Sequence, residues 1–470
     1  MAEYTNPYSG GFKPVREEVT AHDLPVTGRI PAELNGRYLR NGPNPMNLDD
    51  PTLHLFLGEG MVHGVRLREG RAEWYRNRWV RSEHVASELG ERHPGGASVN
   101  LGDAACNTHV IGHAGRTLAL VESGPRPYEL TYELDTARRG DFGGTLPGGY
   151  TAHPKLDPRT GELHAVCYQF GDDQVRYLVV SPEGRVTSSI GVPAAHQPMI
   201  HDCALTERYV VLYDLPVTFS EELARGGAQL PYAWNERRPA RIGLLPRAGT
   251  GAGVREGAAE GTGVPQWFEV EPCWIFHTLN AYDEGDAVVI DAVRYDHMMR
   301  DARLEGSPLP TLDRWTLDTA TGKTTQSRLD DRPQEFPTVS PAAVAGAHRY
   351  GYAAVTPDIN THLTEQQELS SLPDDAFGDA LLKHDLTAGS AQRRPFRSGA
   401  YAGEPFFVPS ATAAAEDDGY VMSFVHDPDR GATDLLILSA QDFTGDPVAA
   451  VHLPVRVPLG FHGSWVPDAA

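Results

Sequence analysis

Four histidines of this 470-residue chain stand at the edges of apolar segments, each near a proline, a glycine or an aromatic residue. They are His153 in GYTAHP, His201 in MIHDC, His277 in WIFHTLN and His462 in LGFHGSW. Neutral imidazoles are common ligands of iron and other transition metals, so four in one place would form a metal centre. A single histidine is more often a surface or core residue than a ligand, and the spacing alone leaves their convergence open.

The short motifs of several other chemistries do not occur in the sequence. There is no G-x-S-x-G nucleophile elbow, no H-E-x-x-H, no phosphate-binding loop and no EF-hand calcium loop. No histidine is followed two positions later by a carboxylate, so the sequence lacks the His-x-Asp/Glu part of a facial-triad iron site. Metal chemistry in this chain therefore requires ligands that are far apart in sequence.

Charge and cysteine content exclude further classes of protein. Lys and Arg number 41 against 63 Asp and Glu, a net charge of −22 that argues against nucleic acid as a partner. No apolar run approaches the roughly 20 residues that span a bilayer, and the first residues carry no export signal, so we expect a cytoplasmic protein. No C-x-x-C occurs, and we interpret the four cysteines as core residues: Cys106, Cys167, Cys203 and Cys273.

The elements that must position the histidines are predicted to be short antiparallel strands. Apolar or alternating segments separated by turn signals recur at 109–121, 163–170, 209–217, 287–295, 350–355, 420–426 and 435–439. Two turns share one form, DPRTG at 157–161 and DTATG at 318–322, in which Asp caps the turn and Gly supplies a positive φ. The pattern predicts an all-β fold of repeated hairpins, a β-propeller with divergent blades, and a pair of sandwiches is the alternative.

Helical signals are limited to residues 220–225 and 364–383, and Pro373 interrupts the second. We expect both to be excursions between strands. The low-complexity segment GTGAGVREGAAEGTG at 249–263 resembles a phosphate-binding loop only in its glycine spacing. It neither follows a clear strand nor opens an apolar helix, so it is predicted to be a flexible surface loop.

Ordered motifs run along nearly the whole chain: GRYLRNGPNP (36–45), GEGMVHG (58–64), NTHV (107–110), LALVE (118–122), HD (201–202), EPCWIFHTLN (271–280), EFP (335–337), GEPFFV (403–408) and PLGFHG (458–463). Together they resemble the carotenoid cleavage oxygenase family, and the chain looks like a bacterial member. The family comprises non-haem iron enzymes that include retinal-forming, apocarotenoid-cleaving and stilbene-cleaving members.

The resemblance implies a single seven-bladed β-propeller domain over residues 1–470, with loop and short-helix excursions forming a cap over an axial metal site. It implies one Fe(II) per chain, held by His153, His201, His277 and His462. It also implies three glutamates that accept hydrogen bonds from the last three of these histidines: Glu122, Glu335 and Glu404. Such carboxylates offset the charge of a buried dication and fix each ring's tautomer. Without the resemblance, Glu335 and Glu404 would be interpreted as solvated loop residues.

With four positions filled by imidazole, two would remain for dioxygen and for substrate or water. Thr108 matches a family position whose methyl group restricts one of the two, which makes it the candidate catalytic residue. Taken alone, it is equally well interpreted as a β-branched strand residue. The segment with Phe56, Met61 and His63 is assigned to closure of the fold and not to the chemistry.

The reaction implied is oxidative cleavage of a conjugated double bond of a carotenoid or apocarotenoid, with O2 as co-substrate and two carbonyl products. Stilbene-cleaving relatives carry a lysine where this chain has Val121, and their phenol-binding tyrosine segment is not evident at 92–106. Both departures favour a polyene, although a stilbene or phenylpropene-type aromatic alkene stays as the alternative. The segment SEELARGGAQLPYAW at 220–234 is only modestly apolar, so we expect at most weak peripheral membrane contact. No protein partner is evident.

Three rival functions stay open at this point. The isomerohydrolase chemistry of one family branch would use the same iron site. A non-enzymatic propeller scaffold would bind no metal and would tolerate His-to-Ala changes. A calcium-dependent propeller hydrolase would need axial Asp or Asn ligands, for which Asp427 and Asp429 give thin support.

Overall fold

Short strands joined by tight turns make up most of the protein. The computed structural model describes residues 8, 10–49, 53–98, 103–104, 106–194, 196–247, 261–299, 309–356 and 378–468. The first strands are β1 (Thr20–His22), β2 (Val26–Gly28), β3 (Gly36–Pro43), β4 (Gly60–Arg68), β5 (Arg71–Trp79), β6 (His109–His113), β7 (Arg116–Leu120), β8 (Tyr128–Leu130), β9 (Thr136–Arg139), β10 (Lys155–Leu156), β11 (Leu163–Cys167), β12 (Gln174–Val180), β13 (Val186–Pro193), β14 (Cys203–Leu205), β15 (Tyr209–Asp214), β16 (Val217–Phe219) and β17 (Tyr232–Trp234). The others are β18 (Ala240–Pro246), β19 (Gly261–Thr262), β20 (Gln266–Val270), β21 (Trp274–Glu284), β22 (Ala287–Tyr295), β23 (Thr311–Asp318), β24 (Thr324–Asp330), β25 (Gln334–Thr338), β26 (Tyr350–Val355), β27 (Ala380–Asp385), β28 (Ser390–Pro395), β29 (Phe406–Pro409), β30 (Gly419–Asp427), β31 (Ala432–Ser439), β32 (Ala449–His452) and β33 (Gly463–Pro467).

Across the described residues, seven sheets of four or five strands form the blades of a propeller, and β16 and β17 form a separate two-stranded ribbon. Blade I contains β1, β3, β4, β5 and β33; blade II, β6 to β9; blade III, β10 to β13 and β19; blade IV, β14, β15, β18 and β20; blade V, β21 to β24; blade VI, β25 to β28; and blade VII, β29 to β32 and β2. The predicted seven-bladed β-propeller is confirmed, and the sandwich alternative is wrong.

Two strand pairings join the ends of the chain and close the ring. The last strand, β33, pairs antiparallel with β3 in blade I, with Leu39 opposite Ser464. The early strand β2 pairs antiparallel with β32 in blade VII, with Thr27 opposite Ala450. Blades I and VII therefore each combine strands from opposite ends of the sequence, and these pairings hold the ring of blades closed.

One edge strand of every blade faces the propeller axis: β33, β6, β10, β14, β21, β25 and β29. Each blade is then completed outward by successive antiparallel strands, and apolar side chains fill the space between neighbouring blades. The largest core cluster among the described residues joins blades III, IV and V. It includes the fully buried residues Tyr177, Val210, Ile242 and Trp315. All four cysteines are buried and unpaired, so their interpretation as core residues is confirmed.

The two predicted hairpin turns occur where the sequence placed them. Gly161 and Gly322 adopt φ angles of 73° and 72°, which a glycine reaches without steric cost. Asp318 caps its turn by accepting hydrogen bonds from the backbone N–H groups of Ala320 and Thr321, both at 2.9 Å. The turns therefore fix the register of β10 with β11 and of β23 with β24.

Helices are short and lie outside the blades. The predicted helix at 220–225 is found as α2 (Glu221–Arg225), capped by the Ser220 hydroxyl, which accepts from Leu223 N–H. The helix α1 (Glu83–Glu88), capped in the same way by Ser82, was not predicted. Three 3-10 turns occupy Gly10–Phe12, Leu55–Leu57 and Pro341–Ala343. None of the helices in the described ranges is long and apolar enough to cross a membrane.

Two sequence interpretations need correction. The helix predicted at 364–383 lies outside the described residues up to 377, but its last part forms β27 in the middle of blade VI, so the prediction is wrong there. An apolar run of a few residues does not by itself distinguish strand from helix. The loop predicted at 249–263 lies outside the described residues up to 260, whereas Gly261 and Thr262 pair in parallel with β13.

Candidate metal centre

The four candidate histidines lie where an inner strand begins, at one end of the propeller axis. His153 precedes β10, His201 precedes β14, His462 precedes β33, and His277 lies near the start of β21. They therefore come from blades III, IV, I and V. A propeller brings the same end of every inner strand to its axis, so residues hundreds of positions apart meet there.

The four imidazoles form one cluster. The ring centroid of His153 lies 4.5 Å from that of His201, 5.3 Å from His277 and 4.6 Å from His462. The centroids of His277 and His462 are 4.6 Å apart. One ring nitrogen from each of His153, His277 and His462 lies within 4.8 Å of the other two. His201 joins them through His277, since the Nε2 atoms of these two residues lie 3.3 Å apart, and it forms a second such group with His153 and Glu122.

Three of the rings contact a glutamate through Nδ1. The pairs are Glu122 with His201, Glu335 with His277 at 2.6 Å, and Glu404 with His462 at 2.8 Å. The family resemblance pairs the same residues. Because a carboxylate oxygen accepts the hydrogen bond, Nδ1 carries the proton and Nε2 of each ring keeps its lone pair.

His153 differs because none of the described carboxylates forms a hydrogen bond with its ring. It is 5% exposed, and its Nε2 has no hydrogen-bond partner among the described residues. Its carbonyl oxygen, in contrast, accepts a hydrogen bond from the Cys203 thiol at 3.7 Å. A buried nitrogen without a partner is destabilising unless something else uses its lone pair.

Burial and charge set the protonation of the rings. Burial lowers the pKa of His153 and of His277 well below the usual value, so both rings are neutral. Burial also acts to lower the pKa of His201, but the Glu122 carboxylate outweighs it and the pKa is raised. Burial raises the pKa of Glu335 to about 7. For Glu404 burial acts in the same direction, but contact with His462 holds its pKa below the usual value.

These residues fit a divalent transition metal. Imidazole nitrogen is a donor that iron accepts, and the unpartnered Nε2 of His153 belongs to the cluster. The Nε2 atoms of His201 and His277 approach each other to 3.3 Å, a separation that one shared cation would stabilise. The three glutamates outside the rings would offset the charge of that cation.

A small apolar pocket of 80 Å³ adjoins His201, His277 and His462. Its walls include Phe56, Thr108, Val121, Phe276, Phe336 and Phe461. Phe170 and Leu230 also line it, and neither belongs to an inner strand. The pocket therefore places carbon-rich walls directly beside the histidine cluster and offers few polar groups to bind a hydrophilic molecule.

Thr108 lies in the wall of this pocket, immediately before β6. Its hydroxyl donates a hydrogen bond to Oδ1 of Asn107 at 3.0 Å, and its carbonyl accepts from the N–H of His462 at 3.0 Å. Asn107 in turn donates to the carbonyls of Phe56 at 2.8 Å and Gly58 at 2.7 Å. Thr108 is thus held in one orientation and tied to the backbone of a candidate ligand.

The comparisons with known proteins agree with this geometry. A family model described as Retinal pigment epithelial membrane protein matches residues 12–467. A carotenoid cleavage oxygenase of Mycobacterium tuberculosis is 44% identical and covers 99% of this chain, which covers 98% of it. The chain belongs to the carotenoid cleavage oxygenase family. It is therefore an oxygenase, and the scaffold hypothesis is wrong.

Proteins named for other substrates are also similar to this member of the carotenoid cleavage oxygenase family. An isoeugenol monooxygenase of Pseudomonas nitroreducens is 31% identical, with 97% of each chain covered. The crystal structure of Pseudomonas brassicacearum lignostilbene dioxygenase matches with a TM-score of 0.83 and 27% identity over 99% of each chain. The family thus includes similar proteins named for carotenoids and for aromatic alkenes.

Other polar residues of this family member lie beneath the histidines, in an axial cavity of 730 Å³ bounded by the seven inner strands. Nζ of Lys155 lies 2.7 Å from Oδ1 of Asp202, whose Oδ2 accepts from the N–H of Thr278 at 2.8 Å. Each of the three follows a candidate ligand by one or two positions. The interaction therefore joins blades III, IV and V immediately next to the cluster.

Sequence reasoning did not identify His109, a fifth histidine in the same cavity. Its ring centroid lies 5.4 Å from that of His462, and its two nitrogens contact the carbonyls of Ala152 at 3.0 Å and Gly463 at 3.3 Å. Burial lowers its pKa to about 4. His109 thus bridges the backbones next to two candidate ligands. The signal available was its place in the NTHV motif, directly after Thr108.

Proposed function

We propose that this protein is an Fe(II)-dependent dioxygenase that cleaves a conjugated carbon–carbon double bond of a carotenoid or apocarotenoid into two carbonyl compounds. The proposed iron ligands are His153, His201, His277 and His462. Glu122, Glu335 and Glu404 are proposed to orient the last three. One iron per chain and O2 as co-substrate complete the proposal.

The observation that carries the proposal is the cluster of four imidazoles in which carboxylates occupy three Nδ1 atoms. That arrangement leaves nitrogens on the inner side of the cluster and fixes which tautomer each of the three rings adopts. Iron bound there supplies the redox chemistry that allows O2 to react with an alkene. The reaction balances without an external reductant, because the double bond breaks and each carbon receives one atom of O2.

The other residues of the pocket are proposed to bind the substrate and to exclude water. The pocket beside the cluster is lined by phenylalanines, which can pack against a flat conjugated chain. Thr108 is proposed to be the catalytic residue that narrows access to the reacting atoms, since it lies in the same wall. No titratable nucleophile is required, which agrees with a pocket whose ionisable lining groups are Glu122 and the histidines.

The apolar lining supports a carotenoid or apocarotenoid. At the position where stilbene-cleaving relatives carry a lysine, Val121 presents an alkyl side chain in the pocket wall. A volume of 80 Å³ accommodates only the segment around the reacting bond, so a longer polyene must extend past Phe170 or Leu230.

Cleavage of a stilbene or phenylpropene-type aromatic alkene is the second candidate. It is supported by the 31% identity to an isoeugenol monooxygenase and by the similarity to a lignostilbene dioxygenase structure. We further infer that residues 1–470 act as one propeller domain, because β2 and β33 each complete a blade formed by the other end of the chain.

Metal analysis tests the proposal. Protein purified with ferrous iron is expected to hold about one iron per chain, and His277→Ala is expected to lose it. His452→Ala is a matched control, because His452 pairs with Asp434 far from the cluster. Iron-free wild type after loading, or equal iron in His277→Ala, would contradict the ligand assignment.

Product analysis then tests the reaction. The iron-loaded protein is incubated with apocarotenoids and with hydroxylated stilbenes under ¹⁸O2, and mass spectrometry follows the products. Two carbonyl products that both contain ¹⁸O support the dioxygenase, and the substrate class with the higher kcat/KM decides between the two candidates. Alcohol products formed from retinyl esters, without O2 uptake, would support the isomerohydrolase instead.

A further inference from the structure

Each of the three glutamates has a second contact besides its histidine. The Tyr168 hydroxyl donates to Oε1 of Glu122, while Oε2 faces His201. The Tyr295 hydroxyl donates to Oε1 of Glu335 at 2.9 Å, while Oε2 faces His277 and also accepts from the backbone N–H of Phe336 at 2.6 Å. A carboxylate held at both oxygens cannot rotate about its terminal bond without breaking a hydrogen bond.

The third glutamate is held differently. Oε2 of Glu404 accepts from the backbone N–H of Gly463 at 2.8 Å, while Oε1 faces His462. Here no side chain other than the histidine donates among the described contacts. Tyr168 therefore does for Glu122 what a backbone amide does for Glu404, whereas Tyr295 acts on Glu335 together with the backbone N–H of Phe336.

Both tyrosines occupy equivalent places in their blades. Tyr168 follows β11 directly and Tyr295 ends β22, and these are the second strands of blades III and V. Second strands run antiparallel to inner strands, so their ends lie at the level where the inner strands begin. This topology places each phenol beside the histidine cluster.

Both phenols are buried and packed against aromatic rings. Tyr168 and Tyr295 are 3% and 0% exposed. The ring of Tyr168 meets Tyr232 edge-on at 6.2 Å, and that of Tyr295 meets Phe276 edge-on at 5.5 Å. Water does not readily replace either hydroxyl, so removing one leaves a buried carboxylate oxygen without a donor.

We propose that Tyr168 and Tyr295 are positioning residues of the metal centre, acting on His201 through Glu122 and on His277 through Glu335. The inference rests on the metal site proposed above. Loss of the Tyr168 hydroxyl frees the Glu122 carboxylate to turn, and loss of the Tyr295 hydroxyl leaves Glu335 held through Oε2 alone among the described contacts. In both cases the acceptor of the histidine Nδ1–H is less firmly fixed, and the ring holds Nε2 toward the metal less firmly. The consequence is faster metal release without a change in the fold.

Cobalt(II) is the probe, because it is a neighbour of iron in the divalent series and its ligand-field absorption reports the ligand geometry. Cobalt is loaded into the wild type, Tyr168→Phe, Tyr295→Phe and the control Tyr352→Phe. The Tyr352 ring is 1% exposed, and its hydroxyl has no hydrogen-bond partner among the described residues. Release to excess chelator and thermal unfolding of the metal-free proteins are then measured.

We expect Tyr168→Phe and Tyr295→Phe to release cobalt about tenfold faster than the wild type, the low end of the range for residues that hold a ligand. Tyr352→Phe should release it at the wild-type rate, and the metal-free variants should unfold at similar temperatures. A second comparison excludes a merely structural effect. If Tyr168 acts through Glu122, adding Tyr168→Phe to Glu122→Ala should change the release rate no further.

Three outcomes would overturn the inference: wild-type release rates in both variants, a full additional tenfold effect in the Glu122→Ala background, or acceleration in Tyr352→Phe equal to that in the other two. If the wild type itself binds no cobalt or iron, the proposed metal centre fails, which is a different result. Should one tyrosine variant not fold, the other decides the question by the same comparison, with Glu335→Ala as background for Tyr295→Phe.

Discussion

The Nε2 atoms of His201 and His277 lie 3.3 Å apart, although the two residues are separated by 76 positions and begin different blades. Their Nδ1 atoms face outward to Glu122 and Glu335. The two glutamates thus determine that Nδ1 carries the proton in both rings. The Nε2 atoms, which keep their lone pairs, face each other across a space that suits a cation. If the proposed metal ion occupies this space, its binding has measurable effects.

Metal binding is expected to raise thermal stability. A ligand that binds only the folded state contributes about 2.7 kcal/mol at a concentration one hundred times its Kd. We expect the unfolding temperature of the metal-free protein to rise by several degrees with ferrous iron under anaerobic conditions. Differential scanning calorimetry measures the shift, which should vanish in His153→Ala but persist in His22→Ala. An equal shift in His153→Ala would remove His153 from the ligand set.

Glu335→Gln should weaken metal binding while the fold is kept. The amide is close in size to the carboxylate but lacks its charge, so it holds Nδ1 of His277 less strongly. We expect a loss of affinity of about tenfold to one hundredfold. Competition with a chelator of known affinity measures the change, and Glu133→Gln, at an exposed position, is the control. Unchanged affinity in Glu335→Gln would show that this carboxylate does not orient a ligand.

Two substitutions separate the hydroxyl of Thr108 from its methyl group. Thr108→Val keeps the branched shape but loses the hydrogen bond to Asn107, at a cost of about 1 kcal/mol in unfolding free energy. Thr108→Ser keeps that bond but lacks the methyl group. If the methyl group restricts access to the reacting atoms, Thr108→Ser should consume more O2 than the product it forms accounts for. Thr108→Val should form product in proportion to the O2 consumed. An oxygen electrode combined with product quantification gives this ratio, and tight coupling in Thr108→Ser would remove Thr108 from the catalytic proposal.

Asp157 should contribute stability that depends on pH. It is 1% exposed and accepts hydrogen bonds from the Arg159 N–H at 2.9 Å and the Arg247 guanidinium at 2.5 Å. Burial acts to raise its pKa, but these donors outweigh burial and lower it to about 2. Because the folded-state pKa is below the unfolded value, the contribution is complete above about pH 4 and is lost as the pH falls toward 2.

We therefore expect Asp157→Asn to cost about 2 kcal/mol in unfolding free energy at pH 7 and about half of that near pH 3. Asp318→Asn is the matched comparison, since Asp318 caps a turn of the same sequence form and pairs with no arginine among the described residues. Its backbone donors also lower the pKa of Asp318, so this variant measures the pH dependence that comes from turn capping alone. Urea unfolding at several pH values measures both variants. A cost of Asp157→Asn that does not change with pH would contradict the prediction.

The candidate ligands next to the inner strands could be predicted from the sequence, but most of the residues that contact those ligands from other strands could not. His153, His201, His277 and His462 lie in recognisable motifs, and the turns at 157–161 and 318–322 follow from Asp and Gly alone. Tyr168 and Tyr295 lie outside these motifs, and His109 lies in NTHV with no role assigned to it, because their importance comes from which residue lies opposite them in a neighbouring blade. The strand β27 was mistaken for helix since its short apolar run has no unambiguous period.

The pairing of β33 with β3 has a consequence for synthesis. His462 stands immediately before β33, so the proposed metal site lacks its fourth imidazole until this part of the chain has been synthesised. Leu39 must wait for Ser464 across more than four hundred residues before blade I is complete. Such a distant contact is slow to form. If the proposed metal site is correct, its assembly therefore depends on the same late pairing that closes the ring of blades.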